Sequence, residues 1–388
     1  MLPGATKLFR QRFGHPPAHL IHAPAWLALL GGDTRNQQGL ALTAALKPGV
    51  ELAVSPRTDG RIELVVDTLE RRDSFWATDF KLSPALPWAD TIKHTLARLL
   101  QRQVHFKGFS AAVAARLPQP LAHCLPASLT IATALALRQL FPFCLTETSL
   151  GPAPRADASG RLPPLTFPEK LALAKFCQSV TGNSADLLGP ITGLCAKAWH
   201  ALSLDLHSLA VETIPLTGAG LVFSQLTGSE PAPASIDFEA LARSATEKLG
   251  LNSLRSADPK LLQSSRARLA PLEYGVALHL VSEIQRVVAA ERALRDDDQR
   301  QFGQYWFQSH DSRRSIPGAS NPNLETLLSR ARLHPACLGA RAEQGCALSL
   351  APFHQIDSLA KMLEASPEFK VTSTLCRPED GAGLAKLD

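Results

Sequence analysis

Between Pro126 and Leu140 the chain reads PASLTIATALALRQL, a largely apolar run with proline at a first-turn position. A helix of that length and apolarity belongs at the centre of a core, and the rest of the chain must supply layers around it. The chain has 388 residues, enough for two ordinary domains or three small ones. With 45% hydrophobic and 19% charged residues it is globular, and disorder is excluded. No window approaches 18 uninterrupted apolar residues, so no transmembrane helix and no membrane partner are expected. The segment Ala23 to Leu30 follows Lys7, Arg10 and Arg12 but is short, contains Pro24 and lacks a clean cleavage site. It reads as core, not as a signal peptide.

Formal charge is +5, with basic residues scattered along the chain, which argues against a nucleic-acid groove. Seven cysteines are odd in number, widely spaced and form no CxxC pair, so free thiols in a reducing cytoplasm and no metal site are expected. Strands are expected at Arg61 to Val66, Phe109 to Arg116, His200 to Leu206, Ala347 to Leu350 and Lys370 to Leu375. Helices are expected at Trp88 to Gln103, Pro126 to Leu140, Asp237 to Leu249, Ala270 to Leu294, Asp296 to His310, Asn323 to Leu333 and Ile356 to Glu364. Two more should lie between Pro168 and Trp199, broken around Gly189-Pro190. Gly151 to Pro164 reads as a loop. The order is mixed α+β, with a change of style near residue 215, which suggests domains 1–214 and 215–388.

Several stretches together resemble galactokinases of the GHMP kinase superfamily. Leu20 to Asn36 is similar to the family signature R-A-P-G-R-x-N-L-I-G-E-H-x-D-Y. Trp88 to Phe109 resembles a family helix and the strand after it, and His200 to Leu209 resembles the strand H-A-L-L-I-D-C-R-S-L. Glu283 to Val287, Phe302 to Gln304, Ser309-His310, Pro322 to Leu327 and Leu338 to Arg341 follow the family order. The resemblance implies a two-domain α+β GHMP-kinase fold: an N-terminal ribosomal-protein-S5-like α/β domain and a C-terminal ferredoxin-like α+β domain.

The family's active-site residues are not carried over. Its phosphate loop G-x-G-L-S-S-S cradles a triphosphate on backbone N–H groups. Here that stretch is Pro120-Leu121-Ala122-His123-Cys124-Leu125-Pro126, without either glycine and with two prolines that cannot donate. The signature Arg falls at Trp26, and the Asp near the sugar hydroxyl falls at Gly189, with Asp186 as a possible substitute three residues earlier. The sugar-binding Glu, His and Asp align with Gly32, Asp33 and Arg35. Asp33 and Arg35 would hold a polar ligand or pair with each other at a turn. The third motif, glycine-rich in the family, is Gly339-Ala340-Arg341-Ala342-Glu343-Gln344-Gly345-Cys346 and is shorter.

These departures imply a pseudokinase: the fold kept, the transfer chemistry lost, and a binding or regulatory role in its place. It would need no cofactor and would be cytoplasmic, with an intact galactokinase, another protein or a small sugar as partner. The alternative is a divergent sugar kinase using ATP and Mg, with Asp33, Arg35, Asp186, His123, Ser128 or Arg341 in altered roles. A decayed enzyme without a present role is the third reading.

Overall fold

The computed structural model describes residues 4–82, 87–182, 187–227 and 236–387. In chain order the first elements are α1 (Ala5–Phe13), β1 (His19–Leu30), β2 (Leu40–Pro56), β3 (Arg61–Val66), β4 (Thr68–Trp76), α2 (Pro87–Gln101), β5 (Phe109–Arg116) and α3 (Leu125–Leu140). Two short strands β6 (Cys144–Leu145) and β7 (Leu150–Gly151), then α4 (Phe167–Thr181), α5 (Leu188–Cys195), β8 (His200–Asp205), β9 (Val211–Pro215) and β10 (Ala219–Leu226) come next. The remainder is α6 (Phe238–Leu249), α7 (Pro259–Ser264), α8 (Pro271–Arg295), α9 (Gln299–Arg314), α10 (Pro322–Leu333), β11 (Gly339–Glu343), β12 (Cys346–Pro352), α11 (Ile356–Glu364), β13 (Val371–Cys376) and β14 (Gly383–Ala385).

Packing divides the chain into two compact units that interleave. One comprises Met1–Trp26, Pro48–Cys195 and Asp380–Asp388, the other Leu27–Lys47 and Ala196–Glu379. The change of style near residue 215 therefore marks no edge of either unit. The physical reason is that β1 and β2 each run from one unit into the other, so the chain crosses over early and returns at its end.

In the first unit the sheet order is β14-β1-β2-β5-β3-β4, mostly antiparallel, with β3 and β5 parallel. Alternation along the strands serves two faces. Leu52, Val54, Leu64 and Ala111 meet Ile92 of α2 and Thr133, Ala136 and Leu137 of α3. Ala53, Val65, Ala112 and Ala114 meet Ala5, Leu8 and Phe9 of α1. The apolar α3 is thus the core helix the sequence demanded, with Leu129, Ile131, Ala132, Ala134, Ala136 and Leu137 all buried. By length and composition Gln119–Leu140 could cross a membrane, yet 67% of its most apolar window is buried among the protein's own side chains. The expected break at Gly189-Pro190 lies elsewhere: α4 ends on left-handed Gly182, and both residues sit in the first turn of α5, where proline is tolerated. Asp186 lies outside the described residues.

The second unit holds a four-stranded antiparallel sheet, β11-β12-β10-β13. Leu324, Leu327 and Leu328 of α10 and Ile356, Leu359 and Leu363 of α11 pack on it, while α8 builds a second cluster with Ala242, Ala245 and Leu262. The first half of β2 pairs with β8, and β8 pairs with β9. Helix α9 approaches β11 so closely that a Cβ on Gly303 would collide with the Leu338 carbonyl, and one on Gly339 would stand 2.5 Å from the Gly303 carbonyl. Gly303→Ala should therefore destabilise the fold by about 1–3 kcal/mol or more. Gly275→Ala, where the nearest atom is an Ile316 carbon at 3.6 Å, should instead stabilise α8 by about 0.4–1 kcal/mol. Urea unfolding of the two variants against the parent checks both signs.

Candidate functional site

The positions singled out by the sequence fall into two groups, one in each unit. In the first unit, β1 delivers Trp26, which is 8% exposed, against the start of α5. A methyl built on Gly189 would lie 2.6 Å from both Cζ2 and Nε1 of the Trp26 indole, so the ring occupies the space a side chain at 189 would need. The indole also meets the exposed His123 edge-on, with ring centroids 5.2 Å apart. The Cys124 thiol donates to the Trp26 carbonyl at 3.4 Å. Trp26 Nε1 is buried with no hydrogen-bond partner. The residues at the positions of the family's Arg and Asp are thus in contact, but as a large ring against a bare Cα.

Before α3 the chain forms a 3-10 turn, Gln119–Cys124, running directly into the helix. Pro118, Pro120 and Pro126 lack N–H groups, the Leu121 N–H is taken by the Pro118 carbonyl at 2.8 Å, and the Leu121 side chain is wholly buried. Ser128 is buried and donates to the Pro24 carbonyl at 2.9 Å, a strand-to-helix tie. Three positions at and beside this turn therefore have no N–H, and a fourth N–H is already bonded.

In the second unit, a 3-10 turn over Gly32–Gln37 carries Asp33 and Arg35. Its entry is pinned by Glu283, a buried carboxylate in α8 that accepts from Gly31 N–H at 3.1 Å, Ser309 Oγ at 2.9 Å and Arg286 Nε at 2.7 Å. Burial alone would raise the Glu283 carboxyl, but Arg286, His279 and the Gly31 N–H outweigh it and hold it below its usual value. Asp33 accepts from Arg313 Nη1 at 2.8 Å, and His279 Nε2 stands 3.5 Å away. Arg313 lies over the Phe238 ring at 4.8 Å. Burial here again pushes upward, and the contacts from His279 and the Arg313 and Arg341 guanidinium groups overcome it, leaving Asp33 ionised well below the carboxylate range. Arg35 is exposed and takes no part in these ion pairs, so the expected Asp33–Arg35 pairing is replaced by Asp33–Arg313.

Arg341, in β11, is 7% exposed and is engaged through Nη2. Its Nη2 donates to the Ala28 carbonyl and, at 2.6 Å, to Glu343, and its guanidinium lies 5.6 Å from the Trp306 ring centre. The stretch that is glycine-rich in the family is a two-residue hairpin, with Glu343 opposite Cys346 and positive φ at Gln344 (47°) and Gly345 (75°). That is the geometry of a type I′ turn, the tightest connection between antiparallel strands. Among the described residues no cluster of three or more His, Cys, Asp or Glu is placed to hold a metal ion. Arg313, His279 and Phe238 were missed by sequence reasoning. They lie more than 200 residues from Asp33 on α6, α8 and α9, and no local spacing announces them.

Two outcomes test this geometry. Gly189→Ala should cost about 1–3 kcal/mol in the parent by overpacking, yet less than about 1 kcal/mol in a Trp26→Ala background, where the ring is gone. Denaturant unfolding of all four proteins reads the coupling. Asp33→Asn should lower stability at pH 7 by about 1 kcal/mol, since the ion pair is partly solvated. A carboxyl whose folded pKa lies below its unfolded one adds stability that is complete above the unfolded value and disappears as pH falls through the folded one. The gap between parent and Asp33→Asn should therefore narrow as pH drops from about 4, measured by urea melts at pH 7, 5 and 3.

Comparison with known proteins follows the same lines. Residues 7–56 match the family model described as the galactokinase galactose-binding signature. Human galactokinase is 30% identical over 361 residues, covering 89% of this chain and 86% of that protein. The crystal structure of Lactococcus lactis galactokinase complexed with galactose superposes with a TM-score of 0.78 at 19% identity, covering 97% of this chain and 98% of the other. A mevalonate kinase crystal structure gives 0.61 at 14% identity, over 93% and 99%. The solved structures share the fold, and with the sequence relatives they establish that this chain has the GHMP-kinase fold and belongs to the galactokinase family.

Proposed function

We propose that this galactokinase-family chain is a pseudokinase, which binds a partner or a small ligand and does not transfer a phosphoryl group. The observation that carries the reading is the Trp26 indole filling the space beside Gly189. Phosphoryl transfer depends on positioned charge, and an indole offers none. The proline-bearing turn before α3, the tight hairpin at Gln344-Gly345 and the neutralisation of Arg341 by Glu343 support the same reading. On this reading the protein needs neither ATP nor Mg, works in the cytoplasm, and has as partner an intact galactokinase, another protein or a small sugar. A sugar is favoured by one feature: Asp33 stays ionised and a third of its side chain reaches solvent. The alternative, a divergent sugar kinase, would have to use that carboxylate.

Thermal unfolding with and without millimolar Mg-ATP, then with galactose, tests the proposal. A ligand at 100 times its dissociation constant adds about 2.7 kcal/mol, several degrees in melting temperature for units of this size. No shift with Mg-ATP and no ADP release with galactose are expected. A clear Mg-ATP shift together with sugar phosphate formation would replace the pseudokinase by the divergent kinase.

A further inference from the structure

In the first unit, the end of α3, the loop at 162–165, the start of α4 and β14 enclose a cavity of about 270 Å³. Trp26, Gly189 and the turn before α3 do not line it, so it is separate from the family's chemistry. Its walls are apolar: Ile21, Leu135, Leu162, Leu165, Leu194 and Leu384. Three polar side chains also line it, Arg138, Gln139 and Lys170. Gln139 is committed, donating to the Gly160 carbonyl at 2.8 Å.

Arg138 is the unusual member. It is 8% exposed, donates through Nη1 to the Pro163 carbonyl at 3.1 Å, and keeps Nη2 3.7 Å from Glu169. Its Nε is buried with no partner. Burial pushes the Arg138 pKa down, with Glu169 opposing, which marks a cation short of negative charge. Glu169 is largely occupied elsewhere, accepting from Thr166 N–H at 2.7 Å, Thr166 Oγ1 at 2.6 Å and the Cys144 thiol at 3.3 Å. Lys170 is half-buried, and among the described residues no carboxylate pairs with it.

We propose that this cavity binds a small monoanion with an apolar body, a carboxylate on a medium-length alkyl chain or an aromatic ring, its charge matched by Arg138 and Lys170. Two cations against the one carboxylate of Glu169 leave a single positive charge, which a monoanion balances and a dianionic phosphate overshoots. A sugar is disfavoured because its hydroxyls would lose their water partners against leucine walls. An apolar body on those walls is the chemistry that gains, as in other concave sites with few polar groups.

The full chain should be titrated with octanoate, using octan-1-ol and octylamine as neutral and cationic analogues of equal length. Octanoate alone should raise the melting temperature, and hydrogen exchange should slow in peptides covering 162–170 and 382–387. Lys170→Gln, a partly exposed change in the first turn of α4 that leaves the core intact, should weaken octanoate binding about tenfold. The proposal is overturned if octanoate does not bind at millimolar concentration or octan-1-ol acts equally. Equal affinity in Lys170→Gln, or protection elsewhere than these two segments, also overturns it.

Discussion

The Trp26 indole and the bare Cα of Gly189 occupy one another's space, and this contact decides what the neighbouring loop and helix can be. With the ring in place, position 189 admits no side chain, so the first turn of α5 must carry a glycine there. The ring also meets His123 edge-on, and the Trp26 main-chain carbonyl accepts from the Cys124 thiol, which ties the turn before α3 to β1. An ionised group introduced here would lose water to an apolar ring without gaining a cation. The sequence resemblance puts a charged pair at these two positions in relatives. In this chain the pair is exchanged for a large and a small neutral residue of complementary shape.

The second unit treats its charges differently, keeping them and spending them on one another. Glu283 pins the entry to the Gly32–Gln37 turn through the Gly31 amide and holds α8 to α9 through Ser309. Arg341 ties β11 to the Ala28 carbonyl at the end of β1 and to Glu343 on its own strand. Asp33 is held by Arg313, which is itself stacked on Phe238. Each of these charges is thus paired with an opposite charge inside the fold. Part of Asp33 nonetheless faces solvent.

Much of this was legible in the sequence where periodicity is strong. The helices α2, α3, α6, α8, α10 and α11 follow from their apolar spacing, and the strands β3, β5, β8 and β13 from β-rich runs after turn residues. Strand β1 was legible only as a core segment. From Ala23 to Leu30 every residue is buried, so the polar–apolar alternation that announces a strand is missing, and Pro24 argues against one. The interleaving of the units was hidden for the same reason, since β1 and β2 are the strands that cross. The importance of Trp26 and Gly189 was visible through the family motifs. Their mutual contact and the Arg313 partner of Asp33 were not, because both join residues far apart in sequence.

The manner of replacement bears on whether the chain decayed or was reshaped. Random loss of a charged pair leaves a cavity or an unpaired polar group, each costing stability. Here one residue grew where its neighbour shrank. The family's glycine-rich stretch became a two-residue turn with the backbone geometry it needs, and the arginine near it gained a carboxylate two residues on. Two blemishes remain, the unpartnered Trp26 Nε1 and Arg341 Nε. Both belong to side chains whose bulk is well packed, so the cost is one hydrogen bond each against several filled spaces. Compensation at Trp26-Gly189 and again in the Arg341–Cys346 hairpin supports the pseudokinase proposed above. Within that proposal, well-packed replacements favour a binding role over simple decay.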